Sequence, residues 1–335
     1  MEREEFALVR DTLRVFSTRF GKESADGVEP ESGAAAQLAL DELGLGELRR
    51  ADPPAATVQE CALLAEEHGS RPMTTSLLGT VLLAPELLRL LGNGEGAHDS
   101  SLGLGLGRTD ARPTIALSRD LRFAGTSSAD LVAWDCSGAD LALSVAPDGT
   151  VTTAELGAPM ATADLVRDVR RAMPTGGVIG RLTTETHQHW QAYALTIVSS
   201  ELVGSARSFV EQSIDYARDR HQYGRPIGSF QAVQHLLADA TVQVEACTSA
   251  TRYAAWCLDH EPPDRALTAA RVAKAEVNIS AVEAVHAGMQ VFGGIAQTWE
   301  HVAHLFLRRV LLGATLLATT DDLLPVLAEP EETNR

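Results

Sequence analysis

The sequence predicts a mostly α-helical protein with a small β domain in the middle and a four-helix bundle at its C-terminal end. The prediction depends on three zones of different composition. Alanine, leucine and glutamate dominate the first zone, glycines and short β-branched segments the second, and long uninterrupted helical patterns the third. We place an N-terminal helical domain at residues 1–98, the β domain at 99–181 and the bundle at 182–335. A chain of 335 residues is long enough for two or three packed units.

Helical periodicity is clear at the start of the first zone, where apolar residues recur three or four positions apart. These residues are Phe6, Val9, Leu13 and Phe16. A second amphipathic helix is predicted from Ala56 to His68, and a leucine-rich helical stretch from Thr74 to Leu91. Pro85 lies inside that stretch and is expected to break or kink it, because proline lacks a backbone donor and crowds the preceding turn.

The middle zone contains short segments with the alternation or β-branching of strands. The segments are 114–117, 131–134, 141–145 and 151–153. Asp148-Gly149 separates the last two and is a hairpin signal. We therefore expect a small antiparallel β unit.

The third zone returns to helices, and these are long. One is predicted from about Glu185 to Arg220, and another from Phe230 to His260. A third, with Asp264 as its expected cap, runs to about Phe292. Helices of about 30 residues at this spacing are typical of an antiparallel four-helix bundle.

Composition excludes several classes of function. The formal net charge of −17 opposes nucleic-acid binding, which needs a basic surface. The chain has no apolar run of about 18 residues, so a membrane span is not expected. The four cysteines form no CxxC pair, which favours buried thiols over a zinc site or a disulfide framework. The charged N-terminal residues are not followed by a long apolar stretch, and we expect a cytoplasmic protein.

The segment from Tyr216 to Asp239 is the more informative of two chemically distinctive stretches. A helix is predicted to end there in a basic, aromatic turn, and Ser229 is the expected N-cap of the helix that follows. Arg220 then lies beside the turn amides and a helix N-terminus, which suits a phosphate or pyrophosphate. Tyr223 and Phe230 can pack on a flat ring. The alternative interpretation is a plain helical hairpin with a solvated arginine.

The second stretch runs from Gln290 to His301 and contains Gly293-Gly294. Together the two stretches resemble the acyl-CoA dehydrogenase family. The first is similar to the family signature YaxxRxqFGrPIgsFQaxqhxLAdm, with Tyr223 in place of the usual phenylalanine. The second is similar to the family's QxxGGxGxTxEh turn, with Ala296 where the third glycine usually lies. The resemblance covers about Leu182 to Leu317.

The resemblance implies an FAD-dependent acyl-CoA dehydrogenase that oxidises the Cα–Cβ bond of an acyl-CoA thioester. In that family a glutamate removes the α proton, and the β hydrogen leaves as hydride to the flavin. The family's FAD is gripped in part by a neighbouring subunit, so a homo- or hetero-oligomer is implied. The cofactor-binding residues implied here are Arg220, Gln222, Tyr223, Gln290, Gly293 and Gly294. Phe230 joins them as a ring that can pack on a flat cofactor.

The reaction needs a base, because the α proton of a thioester is weakly acidic. The resemblance places that base in a C-terminal turn, at Leu317 in one alignment register and at Leu312 in another. An alternative family position, on the long helix before the first signature, falls at Ala194 with Leu195 beside it. None of these positions carries an acid, so the catalytic residue is unassigned.

Other acids and histidines have ordinary explanations. Glu201 and Asp321-Asp322 lie near the candidate base positions, and we interpret them as solvated or capping residues. Glu300 matches a family position that is usually structural. His301 and His304 have the spacing of a metal pair on a helix, but no third ligand is apparent in the sequence, and we expect no metal site.

A second departure from the family lies in the β zone. Family members carry a TEP…GSD stretch that holds the flavin ring, and nothing between Gly92 and Asp130 resembles it. The glycine-rich text Ser101 to Gly107 is not followed by the Lys-Ser/Thr of a phosphate loop, and we predict an ordinary loop there.

Three functions are compatible with this sequence. The chain is a partner subunit that completes the FAD site of a second acyl-CoA dehydrogenase-like subunit, a self-sufficient homo-oligomeric dehydrogenase with an unrecognised carboxylate base, or a non-catalytic assembly scaffold. The first interpretation accounts for both the intact signature and the missing base. The sequence does not identify the acyl chain or the electron acceptor.

Overall fold

Two groups of helices flank a β barrel in the computed structural model, which describes residues 3–28, 30–92, 111–123 and 130–328. The glycine-rich stretch Ser101 to Gly107 and the boundary predicted at residue 98 lie outside these residues, so both stay predictions. None of the described helices is long and apolar enough to cross a membrane.

Four α-helices form the N-terminal group. They are α1 (Arg3–Phe20), α2 (Pro30–Glu42), α3 (Val58–Gly69) and α4 (Ala84–Gly92), and a π-helical segment (Leu77–Leu83) leads into α4. A capping box begins α3: the Thr57 hydroxyl accepts from the Glu60 amide at 3.1 Å, and the Glu60 carboxylate accepts from the Thr57 amide at 2.8 Å. Pro85 was expected to break or kink the helical stretch, but it does not break it. It lies in the first turn of α4, where a missing donor is tolerated, just after the π-to-α change.

Five strands form a closed barrel in the middle of the chain. They are β1 (Pro113–Ser118), β2 (Leu131–Trp134), β3 (Leu141–Val145), β4 (Thr150–Pro159) and β5 (Val169–Arg181), and the order around the barrel is β1-β2-β5-β4-β3. The predicted hairpin at Asp148-Gly149 joins β3 to β4, with Gly149 at φ +82°. The predicted small antiparallel unit is confirmed for four of the five strand pairings, and the fifth, between β1 and β3, is parallel. Five strands in a closed ring cannot alternate direction throughout.

The C-terminal group contains three long helices and two shorter ones. They are α5 (Thr184–Asp219), α6 (Gln231–His260), α7 (Pro263–Phe292), α8 (Ala303–Gly313) and α9 (Thr320–Ala328). Two predicted caps are wrong. The Ser229 hydroxyl donates to the Pro226 carbonyl at 2.7 Å and leaves Phe230 at the N-cap position of α6. Helix α7 begins at Pro263, which needs no donor, so Asp264 lies inside the first turn and does not cap it.

A close crossing of α3 and α5 joins the N-terminal helices to the bundle. A Cβ atom at Gly204 of α5 would overlap the backbone carbonyl oxygen of Glu66, and one at Gly69 of α3 would overlap that of Glu201. Both glycines are therefore needed for the two backbones to approach this closely. The crossing brings the buried Glu201 of α5 next to His68 of α3.

Replacing Gly204 with alanine should destabilise the fold by about 1–3 kcal/mol, because the new methyl group meets backbone and no flexible side chain can move aside. Gly46→Ala is the matched control, since nothing lies within 4 Å of its Cβ position. Urea unfolding of both variants measures the effect. Equal midpoints for the two variants would show that the crossing is looser than its geometry indicates.

Candidate functional site

The two stretches that resemble the family signatures meet at one end of the bundle. Ala217 near the end of α5, Leu237 in the first turns of α6 and Val291 at the end of α7 form one buried apolar cluster. The Tyr216 and Phe292 rings lie 4.6 Å apart, centroid to centroid. Packing between three helices therefore brings sequence-distant signature segments onto a common surface.

A tight hairpin projects from this end between α5 and α6. Its two-residue strands, β6 (His221–Gln222) and β7 (Arg225–Pro226), are joined by Tyr223 at φ +54° and Gly224 at φ +80°. Two consecutive positive φ angles characterise a type I′ turn, which favours Asn or Gly at its first central position. A tyrosine there occupies a sparsely populated backbone conformation.

Tyr223 gains no burial in return for that conformation, since the residue is 93% exposed. Its ring lies nearly perpendicular to that of the half-buried Phe230, at a centroid distance of 6.2 Å. The Arg225 guanidinium lies over Phe230, 4.1 Å from the ring centroid. The hairpin thus displays an aromatic ring and a guanidinium outward, which is useful only if something outside this chain contacts them.

Arg220 lies at the base of the hairpin and is exposed. Its backbone carbonyl accepts a hydrogen bond from the Ile227 amide at 2.7 Å, so the backbone position is fixed. Within the described part of the chain its guanidinium has no carboxylate partner, whereas the nearby Arg218 pairs with Asp215 at 3.0 Å. Gln222 is likewise exposed. Arg220 is therefore free to bind an anion.

The third part of this surface is the turn after α7. Gln290 is exposed in the last turn of that helix, and Gly293 and Gly294 follow it. Gly293 has φ +68° and ψ −141°, a conformation that side chains do not tolerate. Nothing lies within 4 Å of a Cβ position at either glycine, so a ligand or a second chain can approach the backbone closely. The seven predicted cofactor-binding residues thus lie on one end of the bundle and are mostly exposed.

The predicted base positions lie elsewhere, where the barrel meets the bundle. Leu317 is 2% exposed and adopts a left-handed backbone at φ +68°. Leu312 is half-buried at the end of α8. The alternative positions Ala194 and Leu195 are buried in α5. None of these side chains can take up a proton.

An ionic network fills the junction between the barrel and the bundle. Arg167 donates to both oxygens of Glu201 at 2.7 Å, and it also pairs with Asp135. Arg309 donates to Asp164 at 3.1 Å and lies 3.7 Å from Glu201. All of these side chains are at most 4% exposed. We call Asp135, Asp164, Arg167, Glu201 and Arg309, together with His68, the junction cluster.

Glu201 is held as a charged structural acid in this cluster. Burial alone would raise the pKa of its carboxyl, but the charges of Arg167 and Arg309 and a hydrogen bond from His68 hold that pKa well below its usual range. Burial lowers the pKa of His68, which favours a neutral ring that donates from Nδ1 to Glu201 at 2.8 Å and accepts from the Thr75 hydroxyl at 2.9 Å. The prediction of a solvated or capping Glu201 is wrong on both counts, because Glu201 lies in the middle of α5, buried and ion-paired.

The side of the junction that faces α8 has very little free volume. A cavity of about 10 Å³ lies there, lined by Leu312, Gly313 and Leu316 together with members of the junction cluster. That volume holds about one water molecule. Sites for small organic ligands typically need about 300 Å³ or more. The cavity beside Leu312 and Leu316 is therefore too small for a flavin ring or an acyl thioester.

The remaining sequence candidates are engaged in local structure. Asp322 accepts from the Thr319 amide and hydroxyl at 2.7 and 2.6 Å and caps α9, as predicted. Asp321 and Glu300 are exposed. His301 packs against Phe292 at 4.7 Å and His304 stacks on Trp299 at 5.2 Å, so each imidazole serves in a ring contact.

A separate cavity of about 610 Å³ lies between α2 and the barrel. Its lining is largely apolar, with Leu38 and Val166 among the apolar residues and Arg112 among the polar ones. None of the seven cofactor-binding candidates and none of the candidate base positions borders this cavity. Arg167 of the junction cluster lines both this cavity and the small one, so the large cavity adjoins that cluster but lies apart from the bundle-end surface.

Sequence reasoning did not find the junction cluster. Its members come from α3, the barrel, α5 and α8, and no motif links them. Acid–arginine pairs that far apart in the chain carry no local pattern. The one available signal was the presence of acids and arginines inside otherwise apolar stretches, which can indicate buried ion pairs but does not show which residues pair.

Comparison with known proteins agrees with the fold and with the signature segments. The family model for the acyl-CoA dehydrogenase C-terminal domain matches residues 196–321. Acyl-CoA dehydrogenase IpdE2 of Mycobacterium tuberculosis is 29% identical over 87% of this chain and 81% of its own length.

Two solved structures share the fold along almost the whole chain. The Tcur3481-Tcur3483 steroid ACAD, G363A variant, superposes with a TM-score of 0.78 and 20% identity, over 97% of this chain and 96% of that one. The ChsE4-ChsE5 complex from Mycobacterium tuberculosis superposes with a TM-score of 0.73 and 19% identity, over 98% and 99%. The family model thus matches the bundle, and the arrangement of helices, barrel and bundle is the acyl-CoA dehydrogenase fold along almost the whole chain.

Proposed function

We propose that this chain is a subunit of a heteromeric acyl-CoA dehydrogenase and that it completes the FAD site of a second, base-carrying subunit. The observation that carries the proposal is the contrast between its two surfaces. The exposed end of the bundle keeps the whole set of cofactor-gripping residues, whereas the chain's own junction is filled by ion pairs and leucines. A self-sufficient enzyme needs both surfaces.

The residues at the bundle end are suited to the polar part of FAD held by another chain. Arg220 offers an unpaired guanidinium for a pyrophosphate, and Gly293 and Gly294 leave the backbone accessible. Tyr223 and Phe230 supply ring surfaces. When bound in the complex, FAD supplies the acceptor for the hydride, and this chain's residues bind and orient it.

The residues at this chain's own junction, in contrast, do not suit a bound flavin. A cavity of about 10 Å³ does not accommodate an isoalloxazine ring, and the candidate base positions Leu312 and Leu317 hold no carboxylate. No catalytic step is therefore assigned to the junction. The base is assigned to the partner subunit, which also binds the acyl-CoA.

Two solved relatives support a complex of unlike chains. The ChsE4-ChsE5 structure is a complex of two differently named chains, and the Tcur3481-Tcur3483 structure is named as a steroid ACAD. We extend the heteromeric arrangement to this chain because its bundle end carries the candidate cofactor-binding residues while its candidate base positions carry no acid. The acyl group remains unspecified by the residues described here.

Replacing Arg220 with alanine should reduce the FAD content of the complex at least about tenfold, since a charge-assisted contact to phosphate is worth roughly 1.5–3 kcal/mol. The complex is obtained by co-expression with an acyl-CoA dehydrogenase-like chain that has a glutamate in its base turn. Flavin absorbance per mole of purified complex measures the effect.

Arg218→Ala is the matched control, because Arg218 is exposed nearby but already paired with Asp215. Unchanged flavin content in Arg220→Ala would refute the assigned role. A stoichiometric flavin load on this chain purified alone would favour the self-sufficient enzyme, and a stable complex without flavin would favour the scaffold.

A further inference from the structure

The turn between α8 and α9, residues 313–318, is held in a strained conformation at the junction. Leu317 is buried with φ +68°, a backbone region that a bulky side chain enters only when its surroundings enforce it. Leu316 and Ala318 on either side are also buried. The neighbouring contacts must therefore fix this turn.

Two hydrogen bonds from α7 hold the ends of the turn. Lys274 Nζ donates to the Gly313 carbonyl at 2.8 Å, and Asn278 Nδ2 donates to the Ala318 carbonyl at 3.1 Å. Lys274 also donates to Asn278 Oδ1, which ties the two side chains together. They are one helical turn apart, so they grip both ends of the turn from one rigid helix.

Two further bonds come from the loop after β1. The Leu317 amide donates to the Leu121 carbonyl at 2.7 Å, and Arg122 donates to the Thr315 carbonyl at 2.8 Å. The turn is thus fastened to the bundle on one side and to the barrel on the other. Arg122 also pairs with Asp322 at 3.1 Å, which extends the fastening to α9.

Lys274 is unusual because it is fully buried and its contacts are carbonyl oxygens. No described carboxylate lies within ion-pairing distance of its nitrogen, and the charged group that acts on it is Arg122. Burial, with a smaller effect from Arg122, lowers the pKa of Lys274 to about 7. A neutral amine has two N–H donors, which match the two acceptors present.

We propose that residues 313–318 form a latch that keeps the barrel–bundle junction closed, with Lys274 and Asn278 as its positioning residues. The latch holds Leu316 against the junction cluster and leaves the cavity of about 10 Å³. Specific hydrogen bonds then keep the junction closed, and their loss opens it. The inference stands on packing alone and does not require the proposed function.

Amide hydrogen exchange of Lys274→Met in the full chain tests the latch. We expect exchange at residues 314–318 to accelerate at least about tenfold, because the turn loses its hydrogen bond at the Gly313 carbonyl and opens more often while the global fold persists. Exchange in the middle of α6 should stay unchanged. Binding of the apolar dye ANS should rise as leucines at the junction become accessible.

Val272→Ala is the matched control, since Val272 lies on the same helix and is 49% exposed. Unchanged exchange at 314–318 in a folded Lys274→Met protein overturns the proposal. If that variant does not fold, Asn278→Ala removes the bonds to the Ala318 carbonyl and to Lys274 and leaves the bond between Lys274 and the Gly313 carbonyl in place. Wild-type exchange at 314–318 in that variant overturns the proposal equally.

Discussion

Purified alone, this chain should oxidise acyl-CoA thioesters at least about 10²-fold more slowly than its complex with a base-carrying partner, because a positioned general base contributes roughly that factor or more. Its candidate base positions hold leucine or alanine, and the buried Glu201, which lines the same cavity as Leu312, is held charged beside two arginines. Reduction of an artificial electron acceptor, with a panel of acyl-CoA thioesters, measures the rate with and without the partner.

A carboxylate introduced at the base position tests whether inactivity results from the missing acid alone or also from the closed junction. Leu317→Glu places an acid where the resemblance expects one, but Leu317 is 2% exposed and the adjoining cavity is about 10 Å³. We expect no oxidation by this variant alone and a lower stability than wild type, since the carboxylate is buried. Dehydrogenase activity of Leu317→Glu without a partner would contradict the closed junction.

Much of the fold could be predicted because helices carry their own periodicity. Helix α5 begins and ends within one residue of the prediction, and α6 within one residue at its start. Long amphipathic patterns specify such elements locally. The predicted caps Ser229 and Asp264 failed, because a preceding 3₁₀ turn and a helix-initiating proline shifted the start in ways that single-residue preferences do not show.

Strand β5 and the barrel closure were not predicted. The sequence of β5 contains Pro174, Gly176, Gly177 and several arginines, and most of its residues are exposed, so it lacks the alternation that marks a strand. Its pairing with β2 and β4 is a tertiary effect. The same reason hides the junction cluster, since Arg167 and Glu201 approach each other only after the barrel packs on α5.

The candidate site likewise has features that the sequence predicts and features that only the packed fold reveals. Arg220, Tyr223 and Gly293 could be proposed as cofactor-binding residues from a motif, because glycine-rich turns and their flanking side chains are local in sequence. That they share one surface follows from the packing of Ala217, Leu237 and Val291. The closure of the junction could not be predicted, because it depends on volume and on long-range ion pairs.

Replacing Arg167 with methionine should destabilise the folded chain by about 3–5 kcal/mol. Arg167 is 1% exposed and pairs with Glu201 and Asp135, so its loss leaves buried carboxylates without their main counter-charge. Arg170→Met is the matched control: its pair with Asp168 is 3.4 Å long and partly exposed, and such pairs contribute about 0–1 kcal/mol. Urea unfolding at neutral pH compares the two variants with wild type.

Acidification gives an independent check on the same cluster. The folded-state pKa of Glu201 is depressed, so the stability that it contributes is present above its unfolded pKa of about 4.3 and is lost as the pH falls toward the folded value. The difference in unfolding free energy between wild type and Arg167→Met should therefore shrink below about pH 4.3. A loss no larger than that of Arg170→Met, or a difference that does not change on acidification, would mean that Glu201 does not depend on Arg167. The junction would then be closed by its leucines and not by its charges.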